Sequence, residues 1–339
     1  MSVARILLLP GVLLLIGVLL FPASVRAEAD HIRLSHGYSS SYLALMVVRD
    51  QHLLEKHAAA LGLGKVEVAW QALDGGNVIN DAILAGSIDV AGIGVPGFIT
   101  LWSKAHAIPR SQVIGVMAIS GGAMWLNTNN PNIRSLRDFT AKDKIALPGI
   151  KTSFAAVALQ MAVAKEFGIE NYARLDPLTV GMPHPDAAIA LMGGRSEITA
   201  HMASPPFSNQ EVANPRIHRV LDTMDVFGPL TILMAMASKP FADTNPTLMM
   251  ALISATDDAV AFIGAHKREA AATYVRVMNA KTPADEILKI LEDPEAIYST
   301  TPTGTMRYAR FLADTGTIKF APTVWTDMFI PPLHARGGN

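Results

Sequence analysis

The residues most able to do chemistry fall in short polar clusters, each just ahead of an apolar, helix-like run. Lys151-Thr152-Ser153 sets a cation beside two hydroxyls at a helix start, which suits a carboxylate or a sulfonate. If Lys151 bonds an anion directly, Lys151→Ala is expected to weaken that ligand by about 1.5–3 kcal/mol. Ser39, Ser40 and Ser41 precede a second helical run and either cap it or offer hydroxyls to a ligand oxygen. Gly75-Gly76-Asn77 allows close backbone approach at Gly76 and a side-chain contact from Asn77, or only shapes a turn. Gly94-Val95-Pro96 leaves room at a strand end around Val95, or reflects tight strand–helix packing. Pro183 and Pro185 stiffen the segment around His184, which reads as a structural histidine or a ligand contact. Ser204, followed by Pro205, Pro206 and Phe207, brings a further hydroxyl near a ring. His201 lies on an apolar strand and reads first as a core histidine.

None of these clusters forms a catalytic set. The pairs His31/His36 and His52/His57 are spaced by five, which does not stack them on one helical face as four would. The His-Glu-x-x-His, Gly-x-Ser-x-Gly and P-loop patterns are all missing from the sequence. No metal and no cofactor is expected.

The elements that must position these clusters show a repeated construction. Ala82-Ile-Leu-Ala-Gly-Ser-Ile-Asp-Val-Ala-Gly reads as a helix end, a stop at Gly86 and a buried strand. Ala190-Leu-Met-Gly-Gly-Arg-Ser-Glu-Ile-Thr-Ala repeats it, with Gly194 for Gly86, Glu197 for Asp89 and Ile198 for Val90. Strand–helix alternation fills the chain to about residue 237, and from Pro246 onward it is nearly all helix. Alternation of this kind implies parallel sheets covered by helices. We expect two α/β lobes: a discontinuous lobe 1 of residues 30–122 and 232–339, and an inserted lobe 2 of 123–231. The segments Met124–Asn127 and Thr231–Ala237 serve as crossovers. In open α/β sheets, ligands bind beyond the carboxyl ends of strands, where helix N-termini converge. All the polar clusters fall at such ends.

Composition narrows the function classes. Arg5, the apolar run Ile6–Phe21 and the small residues around Ala27 form a secretory leader over residues 1–27. The run is shorter than the roughly 20 residues a spanning helix needs. Loss of Arg5 and Arg26 with the leader shifts the formal charge from −1 to −3, leaving no basic surplus for nucleic acid. Cysteine is absent, which removes thiolate catalysis, Cys-ligated metals and a lipidated cysteine. A periplasmic, soluble, monomeric protein is expected.

Beyond these readings, the order of elements resembles the substrate-binding proteins of the nitrate, sulfonate and taurine class of ABC importers, the SsuA/THI5-like family. The resemblance is carried by Gly75-Gly76-Asn77 and the Ala82 element, by Ser135-Leu-Arg-Asp-Phe before Lys144-Ile-Ala-Leu-Pro-Gly, and by Asp186-Ala-Ala-Ile-Ala-Leu-Met-Gly-Gly. It runs over nearly all of the mature chain and implies the type II periplasmic-binding fold. It further implies capture of a small organic or inorganic anion for a membrane permease, and no enzyme activity; the apolar Met182, Met202, Phe207 and Trp125 favour an anionic organic solute over nitrate. His201 and Met202 depart from the family pattern, where small residues are commoner, so the ligand end of lobe 2 is unusual. Two alternatives stay open: an enzyme on the same scaffold, and a receptor feeding a membrane sensor. The pyrimidine-forming relatives depend on a cysteine-rich segment that this chain lacks.

Overall fold

The computed structural model describes residues 27–339; the leader expected over residues 1–27 lies, apart from Ala27, outside the described residues. Two five-stranded sheets organise the chain. It begins with β1 (His31–His36), α1 (Leu43–Asp50), α2 (Leu53–Ala60), β2 (Glu67–Ala72), α3 (Gly76–Leu84), β3 (Val90–Gly94), α4 (Val95–Ala105) and β4 (Val113–Gly121). It then crosses over and builds β5 (Trp125–Thr128), β6 (Ile145–Leu147), α5 (Phe154–Phe167), β7 (Thr179–Gly181), α6 (His184–Gly193), β8 (Ala200–Ala203), α7 (Phe207–Val212), β9 (His218–Asp222) and α8 (Thr223–Phe227). β10 (Thr231–Ser238) returns to the first sheet. Five helices follow: α9 (Lys239–Thr244), α10 (Pro246–Ala265), α11 (Lys267–Met278), α12 (Ala284–Glu292) and α13 (Thr305–Asp314).

The first sheet has the order β2-β1-β3-β10-β4 and the second β7-β6-β8-β5-β9. Neither is wholly parallel, as helix–strand alternation alone implies. β1 pairs parallel with β2 and β3, but β10 runs antiparallel to β3 and β4. In the second sheet β6 pairs parallel with β7 and β8, while β5 is antiparallel to β8 and β9. The reason is where the chain enters: β5 and β10 have each just crossed from the other sheet, so they start at the carboxyl edge of their new neighbours. The start of the outgoing crossover bonds the start of α8, Met124 N donating to Thr223 Oγ1 at 2.8 Å and Thr223 N to the Met124 carbonyl at 3.0 Å.

Local sequence explains the elements that face the space between the sheets. Pro96 sits in the first turn of α4, where its missing N–H costs nothing. Ser153 caps α5, its Oγ accepting from Ala156 N at 3.1 Å. The stops foreseen at Gly86 and Gly194 have φ of 66° and 62°, the left-handed conformation that ends a helix at little cost to glycine. The run from Leu43 is two helices rather than one. It breaks at His52 (φ 52°), and this turns Leu53 and Leu54 into the core against α10. α10 is the one described helix long and apolar enough to cross a membrane, and half of that stretch is buried inside the protein. The C-terminal helices pack on the first sheet's side, α10 and α11 on α1 and α13 on α4.

Candidate functional site

The carboxyl ends of both sheets face each other, and two cavities lie between them. The inner recess, about 40 Å³, is lined by Ser39, Ser41, Tyr42, Asp74, Gly75 and Gly76 from the first lobe, with Ser153, Phe154, His184 and Ser204 from the second. The starts of α3, α4, α5 and α6 all reach it through Gly75–Gly76, Gly94, Ser153–Phe154 and His184. Such ends concentrate free N–H groups and the positive pole of the helix dipole. The outer chamber, about 350 Å³, shares Ser41 with the recess and extends past Ser40, Ser120, Trp125, Pro206 and Tyr298 toward α12.

The lobes are in contact around the recess. Ser40 N donates to the Pro205 carbonyl at 2.9 Å, Thr152 Oγ1 to Asn77 Oδ1 at 2.8 Å, and His184 N to Asp74 Oδ2 at 3.3 Å. Close backbone approach matters at two glycines. A Cβ on Gly75 would lie 2.3 Å from the Pro148 carbonyl oxygen, and one on Gly94 would lie 3.0 Å from Phe154 N across the cleft. The Phe154 ring continues the contact, edge-on to Tyr308 of α13 at 6.0 Å.

Beneath the recess on the second lobe lies a chain of buried polar groups. Ser204 Oγ is 2.8 Å from His184 Nε2, His184 Nδ1 is 2.8 Å from His201 Nε2, and His201 Nδ1 is 2.5 Å from Glu211 Oε1. The other carboxylate oxygen of Glu211 accepts from Asn127 Nδ2 at 2.8 Å. His201 and Glu211 are 0% exposed, Ser204 3% and His184 4%. Burial, then the neighbouring His201, holds His184 well below the ordinary histidine range, so its ring is neutral. The Phe207 ring stacks on it at 5.9 Å.

Asp74 is the carboxylate of the recess. Its oxygens accept from Gly75 N at 3.0 Å and from His184 N, yet loss of water outweighs these bonds and raises its pKa from 3.8 to about 6. No lysine or arginine is among the residues lining the recess.

The structure gathers some of the residues singled out in the sequence and separates others. Ser39, Ser41, Gly76, Ser153, His184 and Ser204 line the recess, and Ser40 lines the outer chamber. Ser39 precedes a 3-10 turn, Ser40–Tyr42, without capping it through its side chain. Asn77 and Thr152 bond each other at the rim. Val95 is fully buried and packs rather than lining either cavity. Lys151 is exposed, adopts φ 64° and lines neither cavity; its charge acts on Asp176. Asp74 and Glu211 carry no signal in the sequence. Asp74 reads as a turn residue ahead of two glycines, and Glu211 as the exposed end of a polar segment.

No protein-family model and no curated protein matches the chain. Solved structures do match. The alkanesulfonate-binding protein SsuA from Xanthomonas axonopodis pv. citri, bound to MOPS, aligns with a TM-score of 0.69 at 15% identity, over 87% of this chain and 96% of that one. The chain has the periplasmic binding protein fold. The nitrate-binding protein NrtA from Synechocystis PCC 6803 aligns with a TM-score of 0.63 at 15% identity, over 89% and 84% of the two chains. The Candida albicans CA3427 gene product, described as having the generic periplasmic binding protein fold, aligns at 0.64 and 11% identity over 86% and 92%. At these identities the likeness is one of fold.

Proposed function

We propose that this protein is the solute-capturing component of an ABC importer, exported to the periplasm by cleavage near Ala27, and that it hands a small organic acid to a membrane permease as a monomer. Its lobes, residues 30–122 with 232–339 and residues 123–231, close on the solute; closure and not chemistry is the useful work. The observation that carries this reading is the convergence of four helix starts and the hydroxyls of Ser39, Ser41, Ser153 and Ser204 on one recess between two lobes. A head group of a few atoms, carboxylate or sulfonate, fits a space of about 40 Å³, and the outer chamber takes the organic remainder.

Asp74 sets the terms of that binding. Two carboxylates in one recess are tolerated when they share a proton, so acid binding is stronger at low pH. The same residue supports a second reading, an amine-bearing solute paired with Asp74, because the recess lining offers one carboxylate and no fixed cation. Native mass spectrometry of the mature protein, followed by a thermal-shift screen of small organic acids, sulfonates, nitrate and amines, separates the two. Stabilisation by acids supports the first reading. Stabilisation by amines alone replaces it with the second, and no stabilisation by any compound removes both.

A further inference from the structure

The chain from Ser204 to Glu211 does more than fill space under the recess, because its hydrogen-bond directions are linked. We propose that the His201–Glu211 pair, relayed through His184, fixes Ser204 as a hydrogen-bond donor to the solute, so that His184, His201 and Glu211 position the group that selects an acceptor oxygen. This deepens the organic-acid reading and rests on it for the identity of the partner.

His201 and Glu211 are both 0% exposed, and the hydrogen-bonding neighbour on the far side of Glu211 is the neutral amide of Asn127. A net charge there has no counter-ion in the chain, so the pair is held without net charge. Two arrangements satisfy this: a carboxylate with an imidazolium, and a carboxylic acid with a neutral ring accepting at Nδ1. In both, His201 Nε2 carries a proton and donates to His184 Nδ1. His184 is neutral, so its single proton must sit on Nε2, where it donates to Ser204 Oγ at 2.8 Å. The hydroxyl hydrogen of Ser204 then has no acceptor in His184 and is free for the recess that Ser204 lines. With one proton fewer in the pair, His201 Nδ1 donates to the carboxylate, the His201–His184 and His184–Ser204 bonds reverse, and Ser204 shows the recess a lone pair instead. The charged group facing this chain from the other lobe is Asp74, whose carboxylate is already engaged by the backbone N–H of His184. The direction therefore rests on the buried pair.

The wild-type protein tests this directly. Nitrogen-15 spectra of the histidine rings should show His184 protonated at Nε2 and bare at Nδ1 across neutral pH; a proton on Nδ1 would overturn the proposal. Binding then tests its consequence, with methanesulfonate as the probe. Ser204→Ala should weaken binding at least tenfold. The double variant His201→Leu with Glu211→Met replaces both members of the pair by apolar groups, an exchange buried ion pairs often tolerate. It should release His184 from its single tautomer and weaken methanesulfonate about as much as Ser204→Ala, with no further loss when the two are combined. A double variant that binds like the wild type would overturn the relay. If it does not fold, the wild-type tautomer alone decides. If the wild type binds no anion at all, the organic-acid reading fails, while the tautomer still decides the direction of the chain.

Discussion

The two lobes share a construction but place the Arg33–Asp89 and His201–Glu211 pairs at opposite ends of their sheets. In the first, Asp89 sits just before β3, its side chain accepting from Arg33 N at 2.8 Å, Arg33 Nε at 3.0 Å and Arg33 Nη2 at 2.7 Å. The equivalent place in the second lobe is held by Thr199, whose Oγ1 accepts from Lys144 N at 3.0 Å. The sequence repeat pairs Asp89 with Glu197, which is exposed; the sheet register slips that pairing by two residues. The first lobe therefore anchors an ion pair on β1, toward the end of the sheet away from the recess. The second has no ion pair at that end, where the buried Asp143 carboxylate accepts from Thr199 Oγ1 at 3.2 Å and Asn130 Nδ2 at 3.0 Å, and it buries the His201–Glu211 pair under the recess. A structural role tolerates charge that can reach water, whereas a recognition role needs it close to the solute and shielded.

This contrast is sharpest in stability. Glu211→Ala leaves His201 buried without its partner and is expected to cost about 3–5 kcal/mol. Asp89→Ala frees Arg33, whose side chain is 38% exposed and regains water, so about 1–2 kcal/mol is expected. Urea unfolding of both variants measures the difference. Equal losses would mean that the second lobe's pair is only another anchor.

Asp74 breaks the symmetry from the other side, because it is a first-lobe charge that faces the recess. Its pKa in the folded protein is about 6, above the ordinary 3.8, so folding takes up a proton. The resulting stabilisation is full below pH 3.8 and is lost as pH rises through about 6, an effect of roughly 3 kcal/mol at most. Methanesulfonate should accordingly bind more tightly at pH 5 than at pH 7.5. Asp74→Asn should flatten that dependence and strengthen binding at pH 7.5. Calorimetry at the two pH values checks both. If Asp74→Asn instead abolishes binding of an amine, the second reading of the solute stands.

The fold was readable from the chain because its signals are local. Gly86 and Gly194 end helices at positive φ, Pro96 and Ser153 start them, and apolar runs mark the strands. What escaped depends on neighbours distant in sequence or on the path of the chain. The antiparallel β5 and β10 follow from the crossing of the cleft, not from their own residues. Helices as short as α7 and α8 hold too few turns to show a period. Of the residues that line the recess, Ser39, Ser41, Ser153 and Ser204 stand out in the sequence as hydroxyls ahead of helical runs, since the chemistry of a helix start is written in adjacent residues. Asp74 and Glu211 were not legible. Asp74 matters through a bond to the other lobe, and Glu211 through a histidine on a strand ten positions earlier.

Lys151 gives the smallest expected effect and the plainest test of where recognition lies. As a cation beside Thr152 and Ser153 it is the natural anchor for an acid, with an expected loss of about 1.5–3 kcal/mol on removal. The folded chain turns it outward at φ 64°, toward Asp176 and away from both cavities. Only a screened, long-range attraction for the solute remains, and exposed charges at that range contribute about 0.5 kcal/mol or less. Lys151→Ala should thus leave the affinity for methanesulfonate within about twofold, with a loss that shrinks further as salt is raised. A drop of tenfold or more would return the anion to a side-chain cation at the cleft rim and take it away from the helix starts and Ser204.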